Sequence, residues 1–454
     1  MNGRLQVQVG LRVRAAVLCA GLFALSLQVA AEPSGGLERR AGEMAGATWL
    51  QRARDELWQT LVTRFFDRRT EMIYDVLWQG KDGKVSATAC LPSPEEVTRQ
   101  FPNPCAWGTG MQDCVFNGAP FLAVAMKRGD REMVRAIYRG LRRCATVSGV
   151  KGFVARGVHP EDGKSFYSNS SRDTWTLFVF YMRRLLMSEF SDEAMRQEIR
   201  GLLVDVAAYA EQCVKPENGY ALLRADGKRS IVSQMWVAEK DLKPRLDAAG
   251  WDHFGGLCSH EALRLPMIYA VADEVSGDKR WRDLKERYID AALTMAEGHI
   301  GADIRASILN QMQLSTRLLW EIEGDPGRKA RLWKLLNRAA DIAAHRVTTR
   351  LEKLFGTSRW QVSRPMRDWH GMPFKKGGFT LDGCRYDVPD QRVATIEDCY
   401  VEAAHAVLVQ AMVDGRSVDA RSRRLLLDAL KEMDLSSVAC SNAVNALLAL
   451  YLNF

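Results

Sequence analysis

After position 27 the sequence has no apolar run long and uncharged enough to span a bilayer, which excludes an integral membrane protein once residues 1–31 are set aside. It has no basic cluster and no nucleic-acid-binding motif, so nucleic acid is excluded as a partner. Neither an HExxH pair nor paired CxxC motifs occur. The stretch "DHFGGLCSHE" gathers His253, Cys258, His260 and Glu261, but a pocket histidine is the simpler reading, and neither metal nor cofactor is expected. No repeat of fixed period is present either, which argues against a helical solenoid.

What is present begins with a secretory pattern. Arg4, Arg12 and Arg14 precede an apolar run from Ala15 to Leu27, and Val29-Ala30-Ala31 supplies the small residues of a cleavage site before Glu32. Residues 1–31 are therefore read as a signal peptide and the mature chain as periplasmic or secreted. Cys19 follows Leu18 rather than a small residue, which argues against a lipoprotein signal. Cleavage removes three arginines and no acid, so the formal charge of +8 becomes +5, a mild excess that suits an acidic ligand. With 47% hydrophobic residues the mature chain can bury a large core. Its length alone suggests two or three domains, but the pattern along it gives one domain over 32–454.

That pattern is a recurring hairpin. "MKRGDREMVRAIYRGLRRCA" (126–145) sets Gly129-Asp130 between two periodic segments, with glycine suited to ending one helix and aspartate to capping the next. The same punctuation returns at Gly277-Asp278, at Gly324-Asp325 and, reversed, at Asp414-Gly415, while Ser191 is the cap expected in "MSEFSDEAMRQEIRGLL". The first helix of each pair, near 112–128, 172–188, 257–274, 303–322 and 396–413, is apolar around most of its circumference and is expected to be inner. The second, near 131–147, 191–213, 278–298, 327–350 and 418–433, has one charged face and is expected to be outer. A charged helix near 47–66 and an uncharged one near 436–452 complete a sixth hairpin. The expected fold is all-α, an (α/α)6 toroid of six inner and six outer helices, closed by pairing of the first and last.

Such an arrangement resembles the six-hairpin glycosidase superfamily, which includes the unsaturated glucuronyl hydrolases, and the resemblance covers almost the whole mature chain. It implies a glycan-active enzyme with two essential aspartates near the starts of successive inner helices, and Asp113 and Asp173 occupy such places. The implied roles are Asp173 as general acid/base and Asp113 as its partner.

The residues themselves point to the same end of the ring. Long connections at 67–111, 148–171, 214–256 and 351–395 all lead into inner helices, and loops of more than about 15 residues are usually functional. They carry Trp107, Trp236, Trp251, Trp360, Trp369 and Phe374, platforms for sugar rings if exposed and loop anchors if buried. Inner-helix N-termini present unpaired N–H groups there, a favourable setting for carboxylates and anions. Polar residues cluster at those starts: Asp113 and Asn117 in "MQDCVFNGAP", Arg172, Asp173 and Trp175 in "SSRDTW", His260, Glu261 and Arg264 in "CSHEALRLP", Arg305 and Asn310 in "DIRASILNQMQ", and Asp398 and Glu402 in "IEDCYVEAAH". Asp113 with Asn117, and Asp398 with Glu402, share helix faces at i,i+4. With Trp369 and His370 from "WHGMPFKKGGF", these make a pocket of carboxylates, arginines and aromatics, as glycosidic chemistry requires: an acid for the leaving oxygen or alkene and a base for water. Asp113 and Asp173 are expected to face each other across it. For Asp113, Asp173 and Asp398 the plain alternative is helix capping.

The expected partner is an acidic oligo- or polysaccharide, held partly by Arg172 or Arg264. A polysaccharide lyase on the same ring is the first alternative, with His260, Asn117, Asn310, Arg264, Tyr167 or Tyr400 as neutraliser and base; a non-catalytic glycan-binding protein is the second. Nine cysteines remain after residue 31, and Cys114 with Cys144, Cys213 with Cys258, Cys90 with Cys105 and Cys384 with Cys399 are placed to bridge in an oxidising compartment, against the alternative of buried thiols.

Overall fold

The computed structural model describes residues 35–237, 257, 259–300, 304–351, 365–374, 379–381, 384–389 and 396–453. Contacts divide the chain into Met1–Trp49 and Leu50–Phe454, and the second unit is the ring.

Its inner helices are α3 (Cys114–Arg128), α5 (Arg172–Leu186), α7 (Arg264–Ser276), α9 (Ala306–Ile322), α11 (Ile396–Ala411) and α13 (Ala443–Asn453). Each packs against the next in that order, and α13 packs back on α3, so the layer closes. The outer helices are α1 (Gly35–Thr60, in the ring from Leu50), α4 (Arg131–Thr146), α6 (Glu193–Cys213), α8 (Lys279–His299), α10 (Pro326–Arg346) and α12 (Ala420–Lys431). A short helix, α2 (Pro94–Thr98), lies in the first long loop behind a capping box of Ser93 and Glu96. The expected (α/α)6 toroid is the observed fold.

Side-chain pattern decides which layer a helix joins. In α5, 13 of 15 residues are buried, including Phe178 and Met182, so the helix has no wet face. In α4 the buried residues Val134, Ile137, Tyr138, Leu141, Cys144 and Ala145 recur at helical spacing on one stripe, and five arginines lie off that stripe. Closure of the sixth hairpin rests on long side chains: Arg54 donates to the Leu450 carbonyl and lies over the Tyr451 ring, and Arg128 bridges Asp55 and the Tyr451 hydroxyl.

The hairpin turns form as their residues dictate. Gly129, Gly277 and Gly415 adopt left-handed φ of 72°, 69° and 71°, and Asp130, Asp278, Asp325 and Asp419 cap the following helices with their carboxylates. Two details differ from expectation. Gly324 is not left-handed, since Pro326 at the first turn of α10 already fixes the entry. Asp192, not Ser191, caps α6, because the Ser191 hydroxyl turns back to the carbonyls of Leu185 and Leu186.

Little strand is present. β1 (Phe66–Asp67) pairs with β2 (Met72–Ile73), and β3 (Trp78–Gln79) pairs with β4 (Val85–Ser86) and, in parallel, with β7 (Met366–Arg367). β5 (Ala221–Leu223) pairs with β6 (Arg229–Gln234), and β8 (Phe379–Leu381) with β9 (Cys384–Tyr386). The β3–β7 ladder ties the first long loop to the last. These pieces lie in the connections that run into the inner-helix N-termini, so that end of the ring carries the folded loops.

Candidate active site

The rim of the loop end is built from two ionic corners. In the first, α3 begins at Asp113, whose backbone N–H donates to both oxygens of the Asp75 carboxyl at 3.0 Å. Asp75 comes from the segment after β2 and is 4% exposed. Of the first-turn donors, the Val115 N–H is met by the Arg156 carbonyl at 3.0 Å. Asp113 stands at the N-cap position but makes no capping bond with its own side chain. Its carboxylate instead receives Nη2 of Arg156 at 3.0 Å and the Gln112 amide at 3.1 Å, and remains 27% exposed. Burial and the Asp113 charge push the Asp75 carboxyl well above the usual range, against the pull of Arg156 and of backbone N–H groups.

In the second corner Ser171 caps α5, its hydroxyl accepting from the Thr174 N–H. Asp173 is thereby freed and receives Nη1 of Arg264 at 2.6 Å with its carboxylate 38% exposed. Arg264 is 1% exposed and also donates to Glu261 at 2.7 Å and to the Gln311 side chain at 2.6 Å. Arg172 completes the set, paired with the other Glu261 oxygen at 3.2 Å and bonded to the Gln234 carbonyl at 3.3 Å. A buried carboxylate between two buried arginines is a balanced unit, costly to break on either side.

Arg156 belongs to the first corner. Burial opposes its charge, but Asp113 and, less strongly, the charge of Asp173 hold its pKa above the ordinary guanidinium value. The loop that carries it is held from behind at Gly152. That residue has φ 78°, its carbonyl accepts the Trp175 indole N–H at 3.2 Å, and a Cβ there would lie 2.0 Å from the Asp205 carbonyl of α6.

The remaining expected residues divide. Asp113 and Asp173 stand side by side on adjacent inner helices rather than facing each other across the ring. Arg172, Glu261 and Arg264 meet in the second corner, and His260 is buried on the short turn Ser259–Glu261 that leads to it. Asn117 is 1% exposed with neither amide atom bonded, and Asn310 is 4% exposed with its amide oxygen unbonded, so the ring interior beneath the rim holds polar groups the fold does not satisfy.

Four expectations are corrected. Trp175 is fully buried against Phe153 and Tyr209, on the outer side of α5, and offers no face to a ligand. Trp369 is 1% exposed, its N–H on the Cys90 carbonyl at 2.7 Å, and acts as a loop anchor beside Trp78. His370 stacks on it and binds Asp368 at 2.6 Å and Glu96 at 3.3 Å; no described contact joins it to Asp113 or Asp173. Glu402 serves α9 as a cap, accepting from the Ala306 N–H at 2.9 Å and the Ser307 hydroxyl at 3.1 Å, with Arg346 at 3.4 Å. The Asp398 side chain, Trp251 and Trp360 lie outside the described residues.

Among the other loop aromatics Trp236 is buried on Tyr288, Trp107 is partly buried beside Tyr386, and Phe374 is 41% exposed, edge-on to an equally exposed Phe101. Tyr167 is 2% exposed and its hydroxyl is spent on the Phe101 carbonyl, so it does not supply an eliminating base. The described cysteines Cys90, Cys105, Cys114, Cys144, Cys213, Cys384 and Cys440 form no disulfide; burial pushes Cys105 and Cys144 up to about 12. No group of three or more metal-ligating side chains occurs among the described residues. An open cleft of about 600 Å³ lies elsewhere, over the outer helices α8 and α10, where Arg328 and Arg331 are already paired with Glu286, Asp290 and Glu297.

Asp75, Gln112, Arg156 and Gln311 were not anticipated from sequence. Asp75 and Arg156 sit in segments without periodicity, and only contact with Asp113 marks them.

No family model matches the chain, and no curated protein matches it. Among solved structures the chain is similar to the GH76A alpha-1,6-mannanase from Salegentibacter sp. HEL1_6, with 10% identity over 65% of this chain and 88% of that one and a TM-score of 0.30. A superposition this loose transfers no residue and no activity, and the reading below rests on the side chains described above.

Proposed function

We propose that the chain is an exported glycoside hydrolase that cleaves an acidic, uronate-containing glycan with Asp113 and Asp173 as its carboxyl pair. One observation carries the reading. At the rim of the ring neither aspartate side chain caps its own helix, which leaves two partly exposed carboxylates on adjacent inner helices, each paired with a buried arginine. Capping was the bland explanation for each aspartate, and neither performs it.

In this reading Asp173 acts as general acid/base and Asp113 as its partner. One carboxyl gives its proton to the leaving oxygen, or to the alkene of an unsaturated uronate, while the other takes a proton from the attacking water. Arg156 holds Asp113 in place and, with the converging helix N-termini, supplies the positive field for a substrate carboxylate. Arg172 and Arg264 are engaged by Glu261, Asp173 and Gln311, so their part is to fix the Asp173 corner. The domain is residues 32–454 behind a signal peptide of residues 1–31. No helix of the described residues is long and apolar enough to cross a membrane.

The test is incubation with acidic and neutral oligosaccharides, followed at the absorbance of unsaturated uronates and by reducing ends. Loss of absorbance identifies an unsaturated-uronyl hydrolase, and new reducing ends without absorbance change another hydrolase. A gain of absorbance means β-elimination and overturns the hydrolase reading. Equal rates on neutral and uronate glycans remove the acidic specificity alone, and inertness toward the whole panel counts against an enzyme.

A further inference from the structure

Four large apolar side chains stand exposed among the described residues: Phe101, Met187, Phe374 and Leu452. Met187 ends α5 at the turn end, and Leu452 lies at the end of α13. Phe101 and Phe374 instead meet each other in the loops, with ring centroids 6.2 Å apart and planes at 87°, so the two rings form an open right angle. Both are fixed from behind. The Phe101 ring packs on buried Trp369 at 6.0 Å, and its N–H is held by the Glu96 carbonyl at 2.9 Å. Phe374 bridges through its backbone to Pro389, two residues from the Asp387 carbonyl that takes the Asn103 amide at 2.6 Å. The Phe101 carbonyl accepts the Tyr167 hydroxyl, and from Tyr167 the chain runs six residues to Asp173. Six residues span at most about 20 Å, which keeps the ring pair within the reach of a short oligosaccharide bound at the Asp173 corner.

We infer that Phe101 and Phe374 form a distal subsite on which one pyranose ring of the glycan stacks while the chain extends to the rim. The inference rests on the glycan reading of the site. Size selects the occupant. A stable protein partner buries about 1,200 Å² or more, far beyond what two side chains offer. A sugar ring has one apolar C–H face of phenyl dimensions and a hydroxylated edge, and two rings at a right angle receive a face on one and a flank on the other. Hydrogen-bonding groups for the hydroxyls stand one ring away: His370 stacks on Trp369 and binds Asp368 and Glu96, and all three side chains are partly exposed. The platform contributes only to chains long enough to span from it to the rim, so affinity is expected to grow with chain length.

The test is calorimetric binding of di-, tetra- and hexasaccharides of hyaluronate, alginate and polygalacturonate to the full chain, with kcat and KM for any that are cleaved. Phe374→Leu keeps an apolar side chain without the flat face, and is expected to weaken hexasaccharide binding and raise its KM about 10-fold, the scale of one aromatic stack. Phe374→Tyr keeps the face and is expected to retain the wild-type length dependence. Should Phe374→Leu fail to fold, Phe101→Leu carries the same expectation. Hexasaccharide binding as tight in the leucine variant as in the wild type overturns the inference, as does a loss equally large for the disaccharide. Cleavage that the leucine variant leaves unaltered removes the subsite and spares the hydrolase reading. Length-dependent binding that needs the Phe374 ring, without cleavage of any chain, keeps the subsite and tells against the hydrolase reading. A wild type that binds no chain of the series overturns both.

Discussion

The two ends of the ring use the same residue types to opposite effect. At the turn end Arg183 binds Glu274 through two bonds of 2.6 Å and Glu321 at 2.8 Å, while Arg184 and Arg317 close on Glu321 at 2.7 and 2.6 Å, and Arg317 reaches Asp414 at 2.8 Å. Glu321 thus takes three arginines, and the network ties α5, α7, α9 and the turn after α11. At the loop end Asp113 and Asp173 each take one arginine and stay partly open to solvent. Helix dipoles explain the placement, since C-termini favour arginine and N-termini favour aspartate. The difference lies in saturation. Acids wrapped by cations hold helices together, whereas acids left with unused lone pairs are available for chemistry.

Substitution can separate the two roles. The largest effect is expected at the turn end: Arg183→Met strands Glu274 and part of Glu321 and is expected to cost about 3 kcal/mol or more in urea unfolding, with the activity of the folded protein unchanged. A comparable loss of kcat would mean that the turn end is not merely structural. Next comes Asp173→Asn, for which kcat should fall at least about 10²-fold, with a small change in unfolding midpoint because Arg264 keeps Glu261 and Gln311. Asp113→Asn is expected to follow it, and a variant of either that keeps wild-type kcat removes that residue from the pair.

Between the ends, His405 on α11 gives a pH test. Burial pushes its pKa from 6.5 down to about 4, against the pull of Glu402, and its Nδ1 has no hydrogen-bond partner. A group whose pKa is lowered on folding contributes stability at high pH that is lost as pH falls, here between 6.5 and about 4. The urea midpoint is therefore expected to drop from pH 7 to pH 5 more in the wild type than in His405→Gln; equal drops would place the proton elsewhere. The smallest effect belongs to His370→Ala, an exposed contact, expected within about 0.5 kcal/mol in stability and without effect on kcat. A large loss of kcat there would extend the site to the Trp369 loop.

The ring was legible because its signals are local. Gly129-Asp130 and Gly277-Asp278 mark turns by glycine conformation and aspartate capping, and α4 shows its stripe at helical spacing. Asp113 and Asp173 were legible for the same reason, as polar residues where an apolar run begins. Their supports were not. Asp75 and Arg156 come from connections in which neither period nor motif fixes a partner, and Asp75 acts through backbone donors 38 residues away. The tryptophans misled for another reason. In a helix buried all round, as α5 is, sequence gives no side, so the position of Trp175 three residues beyond Arg172 could not show that it turns outward to Tyr209. Trp369 lies in a loop whose anchorage depends on the β3–β7 pairing, which no local pattern announces.

Gly152 carries one further consequence. With only hydrogens on its α-carbon the loop lies against the Asp205 carbonyl of α6, and four residues later that loop delivers Arg156 to Asp113. The outer layer is therefore a ruler as well as a casing. The height at which Arg156 stands is gauged from the backbone of an outer helix, so a lengthened side chain at 152 would retune the rim from the far side of the wall, with the side chains of both corners left as they were.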